Sequence, residues 1–309
     1  MIRKILTGGL HSKDFQLFLQ RNYPEINCII AKSTTETMNL IHEVDSIAGF
    51  NFIPTTDLSH IKWIHSFGAG IDSFLQHRLA SELLLTKTTG GMGQRIAEYC
   101  LSHILFQLQE LRIFQQQQEK KRWQQIHLPE LKDTTIYIFG TGFVGESIAS
   151  LLSPITKKVI GINTSGKNRP YFAECFPLLQ SNKIQFEERA VVINALPLTK
   201  QTKRVMDSGL FNQMKEVLLI NIGRGGTINQ EDLLKSLANR QIKQAVLDVF
   251  TTEPLPESSI LWDHPNIIVT PHISGITNFS DIQSSFSLIY EAIKNKKEIP
   301  NQINLAMQY

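Results

Sequence analysis

The sequence predicts an α/β protein built from two doubly wound, parallel-sheet domains. Three observations carry this. Short apolar runs alternate with helical patterns along most of the 309 residues, the order that lays helices over a mostly parallel sheet. A β-branched and aromatic run, Thr135-Ile136-Tyr137-Ile138-Phe139, leads into Gly140-Thr141-Gly142-Phe143-Val144-Gly145 and then a helical pattern, so a buried strand, a tight turn and a helix follow one another. The length is too great for most single domains and comfortable for two.

The elements follow in order. Residues 2–6 form a candidate strand, Phe15, Leu17, Phe18 and Leu19 mark a helix, residues 26–30 form a second strand, and residues 61–67 a further one running into Gly68-Ala69-Gly70. After Gly90-Gly91-Met92-Gly93, either a hinge or the turn that opens a helix, Ile96, Cys100, Ile104, Leu108, Leu111 and Phe114 recur three or four residues apart. That spacing makes one long apolar stripe, taken as a single helix bridging the two domains, with Gln115 to Gln118 and the charged residues after them as its solvated end. Strands are expected at 135–139, 158–162, 191–196, 217–222, 244–249 and 267–270, with helices over 146–152 and 231–239. A last amphipathic helix carries Ile282, Phe286, Ile289 and Ile293, with Ser280 or Asp281 able to cap its start.

Composition excludes several classes of function. Lys and Arg number 31 against 28 Asp and Glu, a formal net charge of +3, too weak to argue for nucleic acid or an anionic membrane surface. Cys28, Cys100 and Cys175 are far apart and form no C-x-x-C pair, which argues against a disulfide framework or zinc site and fits a reducing compartment. Ile5-Leu6 is too short a run for a secretory signal, and no run approaches the roughly 18 apolar residues of a spanning helix. A cytoplasmic protein with no metal, no nucleic-acid partner and no membrane is expected.

In the glycine turn, Gly140 permits a sharp bend, Gly142 lets a pyrophosphate approach the backbone, and Gly145 lets the helix pack close. Phosphates would then meet the N–H groups of that helix. The strand at 158–162 ends beside Asn163, 23 residues after Gly140 (163 − 140). A carboxylate near this position would bind the ribose 2′-hydroxyl of NAD. The chain offers Asn163-Thr164-Ser165-Gly166-Lys167-Asn168-Arg169 instead, with cations and hydroxyls able to receive a 2′-phosphate. NADP(H) is the preferred cofactor and NAD(H) the alternative.

Three polar residues stand after strand candidates: Arg224 in Asn221-Ile222-Gly223-Arg224-Gly225, Glu253 in Thr252-Glu253-Pro254-Leu255-Pro256, and His272 in Thr270-Pro271-His272-Ile273-Ser274-Gly275. Ligands of open parallel sheets bind at the carboxyl ends of the strands. An arginine fork suits a carboxylate and its adjacent carbonyl, and histidine suits proton donation near neutral pH, favoured by a glutamate partner. His65, near the Gly68-Ala69-Gly70 loop, reads first as a packed residue.

Taken together, the glycine motif, Ala195-Leu196-Pro197-Leu198-Thr199, the Arg224 motif, Leu247-Asp248-Val249-Phe250 with Glu253-Pro254-Leu255-Pro256, and the His272 motif resemble the D-isomer-specific 2-hydroxyacid dehydrogenase family. Phe67-Gly68-Ala69-Gly70-Ile71-Asp72 is a weaker match, and residues 1–94 match only at their end. The resemblance implies a Rossmann-type dinucleotide-binding domain at 97–275 and a flavodoxin-like substrate domain in two segments, 1–96 and 276–309. It implies hydride transfer between NAD(P)H and C2 of a small 2-keto or D-2-hydroxy acid, and Asn163 resembles the glyoxylate and hydroxypyruvate reductase side of the family. Arg224, Glu253 and His272 fall on catalytic positions. Gly140, Gly142, Phe143, Val144, Gly145, Asn163, Thr164, Ser165, Lys167, Ile222, Gly223 and Gly275 would line the cofactor, with Leu196, Pro197 and Thr202 along its adenosine side and Asp248 at the nicotinamide end. Backbone N–H groups of Gly68, Ala69 and Gly70 would meet the substrate carboxylate beside Arg224 and His272. A homodimer built around the nucleotide domain is implied. Phosphite oxidation shares these motifs and stays open, whereas a formate enzyme would carry glutamine in place of Glu253. The same three residues allow, without requiring, a dinucleotide-sensing interaction protein, and the lack of a low-complexity arm or interaction tail counts against that reading.

Overall fold

The computed structural model describes residues 2–50, 52–71 and 73–305. Asp72, the end of the weaker glycine motif, lies outside the described residues, as does the end of the expected 276–309 segment. The chain divides into two compact units, Met1–Met92 with Thr277–Tyr309, and Gly93–Ile276. Each is an α/β layer.

The first unit holds a five-stranded parallel sheet. Its strands are β1 (Lys4–Gly8), β2 (Asn27–Ala31), β3 (Ser46–Gly49), β4 (Trp63–Ser66) and β5 (Leu84–Lys87), in the spatial order β2-β1-β3-β4-β5. That is the 2-1-3-4-5 order of flavodoxin-like folds. Successive side chains leave opposite faces: Ile5 and Trp63 pack with Phe15 and Phe286 in one core, Leu6 and Ile64 with Ile47 and Leu85 in another. Helix α1 (Ser12–Asn22) supplies Phe15, and α2 (Thr34–Leu40) opens at Ser33, whose hydroxyl accepts from the Glu36 N–H at 3.1 Å.

Strands β3 and β5 were not foreseen. Each is four residues long and half small or polar, Ser46-Ile47-Ala48-Gly49 and Leu84-Leu85-Thr86-Lys87, whereas the equally short β4 and β9 sit within longer apolar runs that give a signal. His65 is fully buried, with Nδ1 3.0 Å from Thr86 Oγ1 and Nε2 3.3 Å from Thr88 Oγ1. Burial holds its pKa down to about 3, so it is a neutral core residue, as the sequence first suggested.

The second unit holds seven parallel strands: β6 (Thr135–Phe139), β7 (Lys158–Asn163), β8 (Glu174–Pro177), β9 (Val191–Asn194), β10 (Val217–Asn221), β11 (Ile242–Leu247) and β12 (Ile267–Val269). Their order is β12-β11-β10-β9-β6-β7-β8, which is the Rossmann 3-2-1-4-5-6 order with β12 added at one edge. β8 was also unforeseen. It is a partly exposed edge strand ending at Pro177, a residue confined to such positions because it cannot donate to a ladder.

The long apolar stripe is not one helix. It is α3 (Met92–Leu108) and α4 (Leu111–Glu119), separated at Glu110, whose φ is 47°. A left-handed residue turns the chain without interrupting three- and four-residue spacing, so the stripe concealed the break. α3 begins at Met92, the last residue of the first unit's first segment, and its remaining residues belong to the second unit. The division falls in the first turn of α3, at 92/93 rather than 96/97, and again at 276/277 rather than 275/276. Gly90, at φ 41°, and Gly91 form a turn tied down by Asp281, whose carboxylate accepts from the Gly91 N–H at 2.8 Å. The same carboxylate accepts from the Asn278 N–H at 3.0 Å. Asn278, not Ser280 or Asp281, is therefore the cap of the last helix, α8 (Phe279–Lys294), and Asp281 is its third residue reaching back. The remaining helices are α5 (Phe143–Leu152), α6 (Ser208–Phe211) and α7 (Gln230–Ala238). No helix among the described residues is long and apolar enough to cross a membrane.

Candidate dinucleotide and catalytic site

The glycine turn lies at the topological switch point between β6 and β9, where a crevice opens in sheets of this order. Gly140 has φ 95°, and a Cβ there would stand 2.8 Å from the Ala195 carbonyl oxygen. Conformation and space therefore both demand glycine. A Cβ on Gly145 would overlap the Gly140 carbonyl oxygen, so the start of α5 is pressed onto the turn. At Gly142 a Cβ would meet nothing within 4 Å. This glycine answers no internal packing need; it leaves open space over the backbone. α5 begins directly after it, at Phe143 and Val144, with no side chain capping its first N–H groups. Open space over helix N–H groups that no side chain caps is what a dinucleotide pyrophosphate requires, so the residues present fit NAD(P).

At the end of β7, Asn163 is a loop organiser. Its amide nitrogen donates to Thr141 Oγ1 at 3.0 Å and to the Lys167 carbonyl at 2.9 Å. Its amide oxygen accepts from the N–H groups of Ser165 and Gly166 at 3.1 and 2.7 Å. Both ends of the amide are thus engaged within the protein. Arg169 is paired with Glu146 of α5, at 3.3 Å, so of the two expected cations Lys167 is the less committed. Beside Thr164 an open cleft of about 360 Å³ is lined by Leu178, Gln201, Val205, Asp207 and Leu210.

After β9, Leu196 is buried and Pro197 begins a loop closed by Thr202. The Thr202 hydroxyl donates to the Pro197 carbonyl at 2.6 Å and accepts from the Thr199 N–H at 2.8 Å. Thr202 therefore shapes this loop from within.

The loop bearing Arg224 rests on a buried polar cluster that the sequence did not reveal. The Asn194 amide donates to Asn221 Oδ1 at 2.8 Å and to Thr227 Oγ1 at 2.6 Å, and the Thr227 hydroxyl donates to the Arg224 carbonyl at 2.6 Å. Ile222 is buried, and a Cβ on Gly223 would stand 2.6 Å from the Leu196 carbonyl oxygen. Arg224 is half-buried, with one guanidinium nitrogen donating to the Gly223 carbonyl at 2.7 Å.

β10, β11 and β12 are consecutive in the sheet, and Arg224, Glu253 and His272 follow their carboxyl ends in turn. His272 Nδ1 lies 2.7 Å from Glu253 Oε2. A carboxylate only accepts, so Nδ1 carries a proton and Nε2 is the nitrogen left to exchange one. The other Glu253 oxygen accepts from the Phe250 N–H at 2.8 Å, which orients the carboxylate. The imidazole side chain is 51% exposed and so stays within reach of a ligand.

Asp248, at the end of β11, is fully buried. Its carboxylate accepts from the Thr270 hydroxyl at 2.6 Å and from the N–H groups of Ile273 and Ser274, each at 2.9 Å. Asp248 thus anchors the 270–275 loop, including Gly275. In the first unit, the Gly68 N–H donates to Ser66 Oγ at 3.2 Å, and that hydroxyl donates to the Gly70 carbonyl at 3.0 Å. Of the three expected amides, Gly68's is already engaged. Among the described residues no three His, Cys, Asp or Glu side chains gather as a metal site.

The fold and this site define a nicotinamide-dependent dehydrogenase with a Rossmann unit. The sequence profile of the D-isomer specific 2-hydroxyacid dehydrogenase NAD binding domain matches residues 101–274, and the chain belongs to that family. A glyoxylate/hydroxypyruvate reductase A from Enterobacter sp. (strain 638) is 30% identical over 81% of this chain and 82% of its own. A family protein from Aeromonas salmonicida subsp. salmonicida A449, of known crystal structure, is 28% identical with a TM-score of 0.85, covering 99% of this chain and 100% of that one. A D-isomer specific 2-hydroxyacid dehydrogenase from Xanthobacter autotrophicus Py2, crystallised with NADPH and MES, shares the fold at 22% identity with a TM-score of 0.88, both chains covered in full.

Proposed function

We propose that this chain reduces a small 2-keto acid of the glyoxylate or hydroxypyruvate type to the D-2-hydroxy acid, with NADPH preferred over NADH. The observation that carries the reading is the His272–Glu253 pair, 2.7 Å apart at the carboxyl ends of Rossmann strands. The name and 30% identity of the Enterobacter relative support the substrate class.

When bound, NADPH supplies the hydride. Gly140, Gly142 and Gly145 shape its pyrophosphate cradle, and the first N–H groups of α5, at Phe143, Val144 and Gly145, receive its charge. Ser165 and Lys167 meet the 2′-phosphate, on a loop whose shape Asn163 maintains, and Thr164, Leu196, Pro197 and the adjoining cavity accept the adenosine. Arg224 grips the substrate carboxylate and polarises its carbonyl. His272 Nε2 gives its proton to the oxygen that becomes the hydroxyl, while Glu253 steadies the imidazolium through Nδ1. Ile222, Gly223 and Gly275 line the space beside the nicotinamide.

The protein acts in the cytoplasm as a homodimer. Helix α4 buries none of its residues, Leu111 and Ile113 are exposed on it, and Trp123 just beyond is 98% exposed; a second copy would cover this apolar surface.

The test is oxidation of NADPH and NADH, followed at the nicotinamide absorbance band, with glyoxylate, hydroxypyruvate, pyruvate and a branched 2-keto acid. Turnover fastest with NADPH and the two smallest hydroxylated or unsubstituted acids is expected, and His272→Ala should lower kcat by about 10²- to 10⁴-fold. No oxidation with any acid would refute the reading.

A further inference from the structure

His272 sits in the left-handed region, at φ 53°, a conformation that a residue with a side chain keeps only when its surroundings impose it. Its N–H donates to the Asp248 carbonyl at 2.9 Å, and the two residues after it donate their N–H groups to the Asp248 carboxylate. The loop is therefore wrapped around one buried anion. The third donor to that anion is Thr270, whose single proton is committed to it, because a carboxylate offers none. The Tyr99 hydroxyl lies 2.7 Å from Thr270 Oγ1, so in this pair Tyr99 must donate. Burial pushes the Tyr99 ionisation up, which keeps it a donor.

Tyr99 belongs to α3 and is itself held. Its ring stands edge-on to His103, one turn further along the helix, with centroids 4.5 Å apart. One turn before it, Arg95 Nε donates to the Ile276 carbonyl at 3.0 Å. α3 thus grips the segment carrying His272 at both ends, at Thr270 and at Ile276.

We propose that Tyr99 and Thr270 are positioning residues for His272, acting in series through the Asp248 carboxylate. The inference rests on the reading of His272 as proton donor. Tyr99 fixes the Thr270 hydroxyl, that hydroxyl completes the donor shell of Asp248, and the completed shell holds the Ile273 and Ser274 amides that set the loop. In a chain of this kind removing the first link matters only while the second is present, and the effect reaches the Ile273 and Ser274 amides at its far end.

The experiment compares the unmodified protein with Tyr99→Phe, Thr270→Val, Thr270→Ser and the Tyr99→Phe/Thr270→Val double variant. It measures kcat and KM for NADPH with glyoxylate, and amide hydrogen exchange at Ile273 and Ser274. Thr270→Val should lower kcat about tenfold and speed exchange of both amides by a similar factor, with KM for NADPH nearly unchanged. Thr270→Ser should restore both. Tyr99→Phe should give a change of about threefold alone and none on the Thr270→Val background. Unchanged exchange in Thr270→Val, or effects of the two substitutions that simply multiply, would overturn the proposal. If the unmodified protein reduces none of the acids, the functional reading falls, while the exchange data still decide this one. Should Thr270→Val fail to fold, Tyr99→Phe against Thr270→Ser decides it by the same exchange measurement.

Discussion

Gly225 lies so close to Phe250 that a Cβ on the glycine would overlap the phenylalanine backbone. The contact joins two loops with different duties: Gly225 follows Arg224, and the Phe250 N–H orients the Glu253 carboxylate. Gly225→Ala must therefore push apart the carriers of a guanidinium and of an imidazole's partner. It should destabilise the protein by about 1–3 kcal/mol, the usual cost of overpacking, and lower kcat/KM for glyoxylate. Thermal unfolding and steady-state kinetics on the same preparation check both.

Gly142 and Gly145 should separate binding from folding. Ala at 142 meets open space, so Gly142→Ala should leave Tm nearly unchanged while raising KM for NADPH. Ala at 145 meets the Gly140 carbonyl oxygen, so Gly145→Ala should lower Tm by several degrees. Similar Tm losses in the two variants would contradict the cradle assigned to Gly142.

The basic loop after β7 should discriminate between the cofactors. Lys167→Ala is expected to raise KM for NADPH about tenfold and to leave KM for NADH unaltered, since only NADPH presents the extra phosphate. Arg169→Ala should do less, because its guanidinium is already held by Glu146. An equal loss with both cofactors would remove the 2′-phosphate from the account.

His65 should make the first unit sensitive to acid. Its folded pKa is about 3 against an ordinary 6.5, so between those values the unfolded chain binds the extra proton and stability rises with pH. The contribution is complete above about pH 6.5 and is lost on acidification, at up to ~1.4 kcal/mol per pH unit. Denaturant titrations from pH 7 down to 4 should show that slope, and His65→Leu should flatten it.

Legibility followed the distance over which a feature is encoded. The strand, turn and helix from Thr135 to Leu152 are one contiguous stretch, and the reasons for Gly140 and Gly145 were plain from their spacing. β3, β5 and β8 were missed because each is a four-residue strand broken by small, polar or charged residues, whereas the equally short β4 and β9 sit within longer apolar runs. The break at Glu110 was missed because a single left-handed residue leaves the apolar stripe intact. Asn163 and Thr202, named as cofactor contacts, also close their own loops by hydrogen bonds, and no pattern in a sequence says where a short polar side chain turns.

Residue types and their order were enough to specify two parallel-sheet units, the glycine cradle and the trio of arginine, glutamate and histidine after successive strands, because each depends on a local period or a short motif. Which hydroxyl meets which carboxylate was another matter. Tyr99, Thr270 and Asp248 come from remote parts of the chain and meet because packing brings α3 to the loop after β12. A hydrogen bond is settled by a few tenths of an ångström, and that accuracy exists only once the core has closed around it.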